Sequence, residues 1–296
     1  MKSNREKTLV VALAAGALPA IACGAAPPLQ LDWQVVVNNG FVIPDAVDPD
    51  TGVRFYNSYN PPSVNSDALV VFRARSTGQQ RGPVSGIYTR DMATAAPIEV
   101  VADRKPASLG SSTQVPDPNN TLYPVPGSPG EPWILSTFNE FPSFPRIAIT
   151  ADAVATRGVH EPVWTYVIGT DPDTGEDVET RVGTTGVYVT LEANNTTSPL
   201  VTGASLLGEV PAFSGLFQVP GAEPATRFDV FPGAPAITDA GVIAFKGNYT
   251  VDDPTSEDPE VTIGKTGVYY RRVTDAYAGG DDPIQLVANS DTLVPN

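Results

Sequence analysis

Apolar and polar positions alternate along this chain in short runs, broken every few residues by glycine, proline, asparagine or aspartate, and the runs recur in a fixed order. The clearest copy begins Pro235-Ala236-Ile237-Thr238-Asp239-Ala240-Gly241-Val242-Ile243-Ala244-Phe245, continues through Thr266-Gly267-Val268-Tyr269-Tyr270-Arg271 and ends at Pro283-Ile284-Gln285-Leu286-Val287-Ala288. The same phrases stand at Pro62–Phe72, Ser85–Arg90 and Pro97–Ala102, and again at Pro145–Ala155, Thr185–Val189 and Pro199–Thr202. The openings are spaced by about 80–90 residues, the scale of a large repeat with variable loops. Alternation with period two predicts four short strands per copy. The first two strands are joined by a turn at Asn/Thr-x-Asp/Ala-Ala/Gly, where Gly241 suits a positive φ. The second copy departs from the pattern at Ala155-Thr156, where the others carry an aromatic residue.

Four antiparallel strands per repeat is the make-up of a propeller blade, and a blade buries its apolar faces only against neighbours. The expected fold is therefore all-β, a β-propeller-like array of four-stranded antiparallel blades. About three blades are present, fewer than the roughly four to eight that close a ring, so the ring is expected to be incomplete. The Ile-Thr-Asp-Ala-Gly-Val-Ile-Ala-Phe-Lys-Gly phrase, the Gly-Val-Tyr phrase and the closing Leu286-Val287-Ala288-Asn289-Ser290-Asp291-Thr292 resemble the repeats of exported bacterial β-propeller-like proteins. The resemblance covers residues 33–296 and implies a fold and an address; it supplies no catalytic residue.

The first 22 residues read as a signal peptide. Lys2, Arg5 and Lys7 precede an apolar stretch, Leu9–Leu18, too short to span a bilayer. Ala20-Ile21-Ala22 then leads into Cys23, the chain's single cysteine, in the manner of a bacterial lipobox, although Ala20 stands where that motif usually has leucine. Lipidation at Cys23 predicts a membrane anchor at an outer-membrane or cell-surface location; ordinary cleavage would leave a periplasmic or secreted protein. Residues 23–32 are the lipidated cysteine and tether. The repeat domain, 33–296, divides into a closing strand and linker (33–60), blade one (61–144), blade two (145–234) and blade three (235–296). The strand expected at Trp33–Val37, with the Asn38-Asn39-Gly40 turn and Phe41-Val42-Ile43-Pro44 after it, matches the phase in which the chain ends at Leu286–Pro295. Unclosed blade edges would then invite self-association.

Composition narrows the function. Charged residues are only 17% of the chain, with 26 glycines and 30 prolines, which suits many short strands and turns. A net charge of −15 argues against nucleic acid as a partner, because no basic stripe is present to displace counterions from phosphates. His160 is the single histidine and reads as an exposed loop residue, which excludes multi-histidine zinc sites. Neither a nucleophile elbow nor a phosphate-binding loop occurs.

Two acidic insertions between second and third strands carry the candidate metal ligands: Asp171, Asp173, Glu176 and Asp177, then Asp252, Asp253, Glu257 and Asp258. Close carboxylates on a turn suit Ca²⁺, a hard ion that takes oxygen ligands; the plainer alternative is charged, solvated hairpin tips. Trp33, Trp133, Trp164, Tyr56, Tyr59 and Tyr123 suit core packing, or else a carbohydrate-stacking surface. Asn119, Asn194, Asn195 and Asn248 stand in glycosylation-type triplets that carry little weight in a bacterial lipoprotein. The expected function is a binding or scaffolding module at the bacterial cell envelope, with protein or glycan as ligand. The alternative is a secreted polysaccharide hydrolase or lyase that uses carboxylates at a propeller mouth.

Overall fold

The Gly-x-Tyr phrase sets the architecture. Where the phrase reads Gly-Ile-Tyr or Gly-Val-Tyr, once in each unit, the tyrosine (Tyr88, Tyr188, Tyr269) is fully buried and its ring lies over the glycine two residues earlier. A Cβ at Gly86, Gly186 or Gly267 would come within 3 Å of that ring. A flat, extended strand with a missing side chain is thus what lets a large aromatic fold back onto its own backbone.

The computed structural model describes residues 33–48, 52–78, 82–120, 136–160, 164–172, 174–182, 185–195, 198–210, 213–258, 261–273 and 282–293. The signal peptide, Cys23 and the tether lie outside them. Contacts separate residues 1–34 from a unit that runs from Val35 onward. That unit is all-β. In chain order its strands are β1 (Val42–Asp48), β2 (Gly52–Tyr59), β3 (Ser63–Val64), β4 (Leu69–Ser76), β5 (Ser85–Asp91), β6 (Glu99–Arg104), β7 (Phe138–Glu140), β8 (Arg146–Ile147) and β9 (Val154–His160). They continue with β10 (Trp164–Thr170), β11 (Asp177–Val182), β12 (Thr185–Thr190), β13 (Val201–Ser205), β14 (Ala236–Ile237), β15 (Val242–Asp252), β16 (Thr262–Arg272) and β17 (Gln285–Asn289).

All pairings are antiparallel, and the three main sheets share one order. A two-residue strand (β3, β8, β14) pairs with a long one (β4, β9, β15); the Gly-x-Tyr strand (β5, β12, β16) follows, and then the last strand (β6, β13, β17). Each of the three phrases read from the sequence falls on these strands. The register is also shared: a bulge falls just before Tyr88, Tyr188 and Tyr269 in the pairing with the last strand. Opposite each glycine of the phrase stands a polar residue, Asp103, Ser205 or Asn289.

An additional element precedes each unit and was not legible as a strand. Tyr56, Phe138 and Phe228 each present an aromatic ring edge-on to the buried tyrosine, at 5.1, 4.9 and 4.8 Å between centroids. β2 and β7 pair with the far end of the unit's long strand, and Val230 bridges to Asn248 in the third copy.

The sheets stack. One cluster joins Leu69, Val71 and Ile87 of the first sheet to Phe138, Ile147 and Tyr188 of the second. Another joins Val187, Val189 and Val201 of the second to Ile243, Phe245 and Tyr269 of the third. Hydrogen bonds tie the turns between strands together: Ser66 N–H donates to Ile149 O at 2.7 Å, and the Asp239 carboxylate accepts from Thr150 N (2.7 Å), Thr150 Oγ1 (2.7 Å) and Ala151 N (3.0 Å). The tyrosine face of the first sheet is covered instead by Ile43 and Ala46, with Val36, Val37 and Phe41 beside them.

Three expectations need correction. Trp33–Val37 is not a strand. The carbonyls of Val35 and Val36 accept hydrogen bonds from Arg90 Nη1 (3.1 and 2.6 Å), so a side chain takes the place of strand neighbours. Val42–Asp48 and Gly52–Tyr59 are not a linker but the paired strands of the hairpin β1–β2. His160 is not an exposed loop residue: it ends β9, pairs with Phe138, is 2% exposed and lies 6.2 Å from the Tyr188 ring.

Candidate functional site

The two arginines that follow Gly-x-Tyr strands build equivalent structures. Arg271 is fully buried, donates from Nε to Asp282 O (2.7 Å) and from Nη1 to Gly203 O (3.0 Å), and lies 5.0 Å over the Phe217 ring. Arg90 donates from Nε to Ala96 O (2.9 Å) and from Nη1 to Val35 and Val36, and lies 4.9 Å over Phe41. Each guanidinium therefore fastens its sheet to the layer before it, using planar forked donors against backbone carbonyls and a cation–π contact. The comparison also places Val35–Val36 in the position that Thr202–Gly203 of β13 occupies before the third sheet. The Arg90 and Arg271 positions are occupied by Thr190 in the second sheet, by its register opposite Val154.

Beside each arginine is a recess. The larger, about 360 Å³, is lined by Val242, Tyr270, Arg271, Arg272, Asp282, Pro283 and Gln285. The smaller, about 200 Å³, is lined by the corresponding Leu69, Thr89, Arg90, Asp91, Ala96, Pro97 and Glu99, together with Asn194 from the loop after β12 of the second sheet. Next to Asn194, Ala193 O accepts from Thr89 Oγ1 at 3.4 Å. In the first unit this recess thus receives a backbone loop of the next layer. In the third unit it is open, with the Tyr270 ring, the Arg272 guanidinium and the Gln285 carboxamide at its rim.

The surrounding face repeats the contrast. Ile87 and Val187 are 0% and 1% exposed, whereas their equivalent Val268 is 44% exposed. Thr89 and Val189 are 1% and 0% exposed, and the matching Tyr270 is 41% exposed. Val287 on β17 is exposed as well. On the outward face of the third sheet, positions that are covered in both other sheets meet solvent.

The acidic residues lie apart from this recess. Asp171 to Glu176 form the tip of the hairpin β10–β11, where the Asp171 carboxylate accepts from Thr174 N at 3.1 Å and its backbone closes on Glu176 and Gly175. Asp173 and the side chain of Asp177 lie outside the described residues. Asp252 ends β15 opposite Thr262, and Asp253 Oδ1 accepts from Thr255 N (2.8 Å) and Oγ1 (2.7 Å), which pulls its carboxyl below the usual range. Glu257 is exposed, and Asp258 N–H donates to Ser256 Oγ at 3.1 Å. Among the described residues no three acidic, histidine or cysteine side chains gather as a metal site; the Asp171 and Asp253 carboxylates cap their own turns. Among the described residues, Asp282 is the one acidic residue that lines the open recess.

The aromatic candidates divide. Tyr56 is core, packed with Tyr88 and Phe72; Tyr59 is partly exposed and donates to Asn39 Oδ1 at 2.8 Å. Trp33 is exposed, and Trp133, Tyr123 and the Trp164 side chain lie outside the described residues. Asn119 is no glycan acceptor: fully buried, it donates from Nδ2 to Tyr188 Oη at 2.8 Å and accepts from Ser205 Oγ. Burial drives the Tyr188 phenol well above its ordinary range.

The edge-on ring that precedes each unit has a signal in the sequence. Phe138-Asn139-Glu140-Phe141-Pro142 and Phe228-Asp229-Val230-Phe231-Pro232 precede their units in the same phase as Tyr56-Asn57-Ser58-Tyr59-Asn60. Compared with known proteins, the chain matches no family model, no curated protein and no solved structure. No helix among the described residues is long and apolar enough to cross a membrane.

Proposed function

We propose that this chain is an exported, lipid-anchored, β-propeller-like binding and scaffolding module of the bacterial cell envelope. The reading treats the three four-stranded units as blades of one layered domain, with residues 1–22 as signal peptide, Cys23 as lipidation site and 24–32 as tether. The observation that carries it is the exposed outward face of the third sheet, whose first-unit equivalent is covered by the second sheet and has a loop residue of that sheet, Asn194, in the lining of its recess. A face of that shape accepts a protein surface: an aromatic ring, a guanidinium and a carboxamide surround an apolar floor, as at interface cores.

Two measurements test it. In cell fractionation the natural chain sediments with membranes, and Cys23→Ser moves it to the soluble exported fraction. Purified Cys23→Ser protein, added to isolated envelopes, cosediments saturably, and Tyr270→Glu weakens that binding at least about tenfold, as expected for loss of an interface anchor. Protein retained in the cytoplasm would overturn the address; cosedimentation that is absent or unchanged by Tyr270→Glu would overturn the binding reading.

A further inference from the structure

Both ends of the stack carry exposed apolar positions where a repeat layer would sit. At the tail these are Val268, Tyr270 and Val287 on the third sheet, with Ala244 opposite Tyr270 on β15. At the head they are on the hairpin β1–β2, which covers the tyrosine face of the first sheet with Ile43 and Ala46 and turns its other side to solvent. Val42 pairs with Phe55 and Val47 with Val53 across that hairpin, and all four are at least 42% exposed. Cross-strand partners share a face, so the four make one patch. It lies on the side of the first sheet away from the second, because the first sheet's other face is the one in the shared core with Phe138 and Ile147.

The two patches differ in charge. The tail patch is rimmed by exposed Lys246, opposite Val268, and by exposed Arg272, opposite Val242, against one exposed acidic side chain of the recess lining, Asp282, among the described residues, which leaves the rim with a net positive charge in a chain of net charge −15. The head patch carries exposed Asp45 between its valines. Unlike charges at the rims favour head-to-tail docking, and tail-to-tail docking would bring Lys246 and Arg272 together with their own copies. The existing contacts between layers are already heterologous, one face of a sheet against the opposite face of the next, so a third contact of that kind continues them.

We propose that the chain self-associates head to tail: the outward face of the third sheet of one copy docks on the β1–β2 hairpin face of a second. This deepens the scaffolding reading above, on which it rests, by naming the partner. A heterologous contact does not close in a dimer, so assembly continues to longer oligomers or rings as concentration rises.

The test uses full-length Cys23→Ser protein, purified after export and free of lipid and envelopes, in sedimentation velocity from about 1 to about 500 µM, a range that covers modest protein interfaces. The expected result is a weight-average mass that climbs past dimer. Val268→Glu at the tail and Phe55→Glu at the head each abolish it with unchanged melting temperatures, since both positions are exposed. Mixing the two variants restores association but stops it at a one-to-one pair, because each retains one good face. A monomer across the whole range overturns the proposal while leaving envelope binding intact as a separate result. Association that survives in the Phe55→Glu protein alone, or a mixture that gives nothing, also overturns it.

Discussion

Ala68 occupies a backbone conformation that its side chain disfavours. Its φ is 65°, and the equivalent turn position in the third unit holds Gly241 at φ 72°. Both turns are closed by the same device, a side-chain oxygen from the residue after the short strand accepting the N–H that opens the long one: Asn65 Oδ1 from Leu69 N (2.8 Å), Thr238 Oγ1 from Val242 N (3.1 Å). The turn is thus held by its cap rather than by the residue at positive φ, and alanine survives there at a cost. Ala68→Gly is expected to raise stability by up to about 1 kcal/mol, net of the added freedom of the unfolded chain. Urea unfolding of the two proteins checks this; a lower midpoint for the glycine variant would refute it. The need for positive φ was legible at Gly241 and not at Ala68, because only glycine announces it.

At the scale of the element, the Gly-x-Tyr strand is a unit of glycine, bulge and ring. Gly267 stands opposite Gly247, whose own Cβ would meet the Phe228 ring at 2.6 Å. Both strands are bare at that point to admit Tyr269 and its edge-on partner. Gly267→Ala would put a methyl group 2.6 Å from Tyr269 Oη and 2.7 Å from Cζ, so the ring has to shift within a packed core. The expected loss is about 1–3 kcal/mol; calorimetry against Gly264→Ala, which meets nothing within 4 Å, is the control. Equal effects of the two would refute the argument. The four strands of each unit were readable because alternation is a local property. Phe138 and Phe228 were not read as part of the motif: their role appears only when the tyrosine, about fifty and forty residues later, arrives beside them.

In the whole molecule, the layers are held by apolar cores, arginine–carbonyl hydrogen bonds and turn-to-turn hydrogen bonds. Asp239 makes one of these junctions sensitive to acid. The Thr150 N–H, then the Thr150 hydroxyl and the Ala151 N–H, hold its carboxyl below the ordinary carboxylate range. A depressed folded value means the contribution is full above the unfolded carboxylate value, near pH 4, and is lost as pH falls through the folded one. Melting temperature should therefore decline on acidification below about pH 4, and Asp239→Asn should lower stability at neutral pH while removing part of that acid dependence. Parallel acid limbs for the two proteins would refute the assignment.

The sequence by itself determined the four recurring strands of each unit, their grouping into three copies, and positions such as Gly241 and Gly267 where backbone or ring needs glycine, because these follow from neighbouring residues and from a pattern that repeats. Only the tertiary structure decided which faces the copies share. Val268 and Val187 occupy the same place in the same phrase, yet one meets solvent and the other is covered; the difference is in what packs against the strand. It likewise decided that His160 is buried beside Tyr188, that Arg90 takes the carbonyls of an expected strand, and that Asp171 and Asp253 cap their own turns. Burial and pairing at those residues are set by groups distant in the chain, which no local pattern encodes.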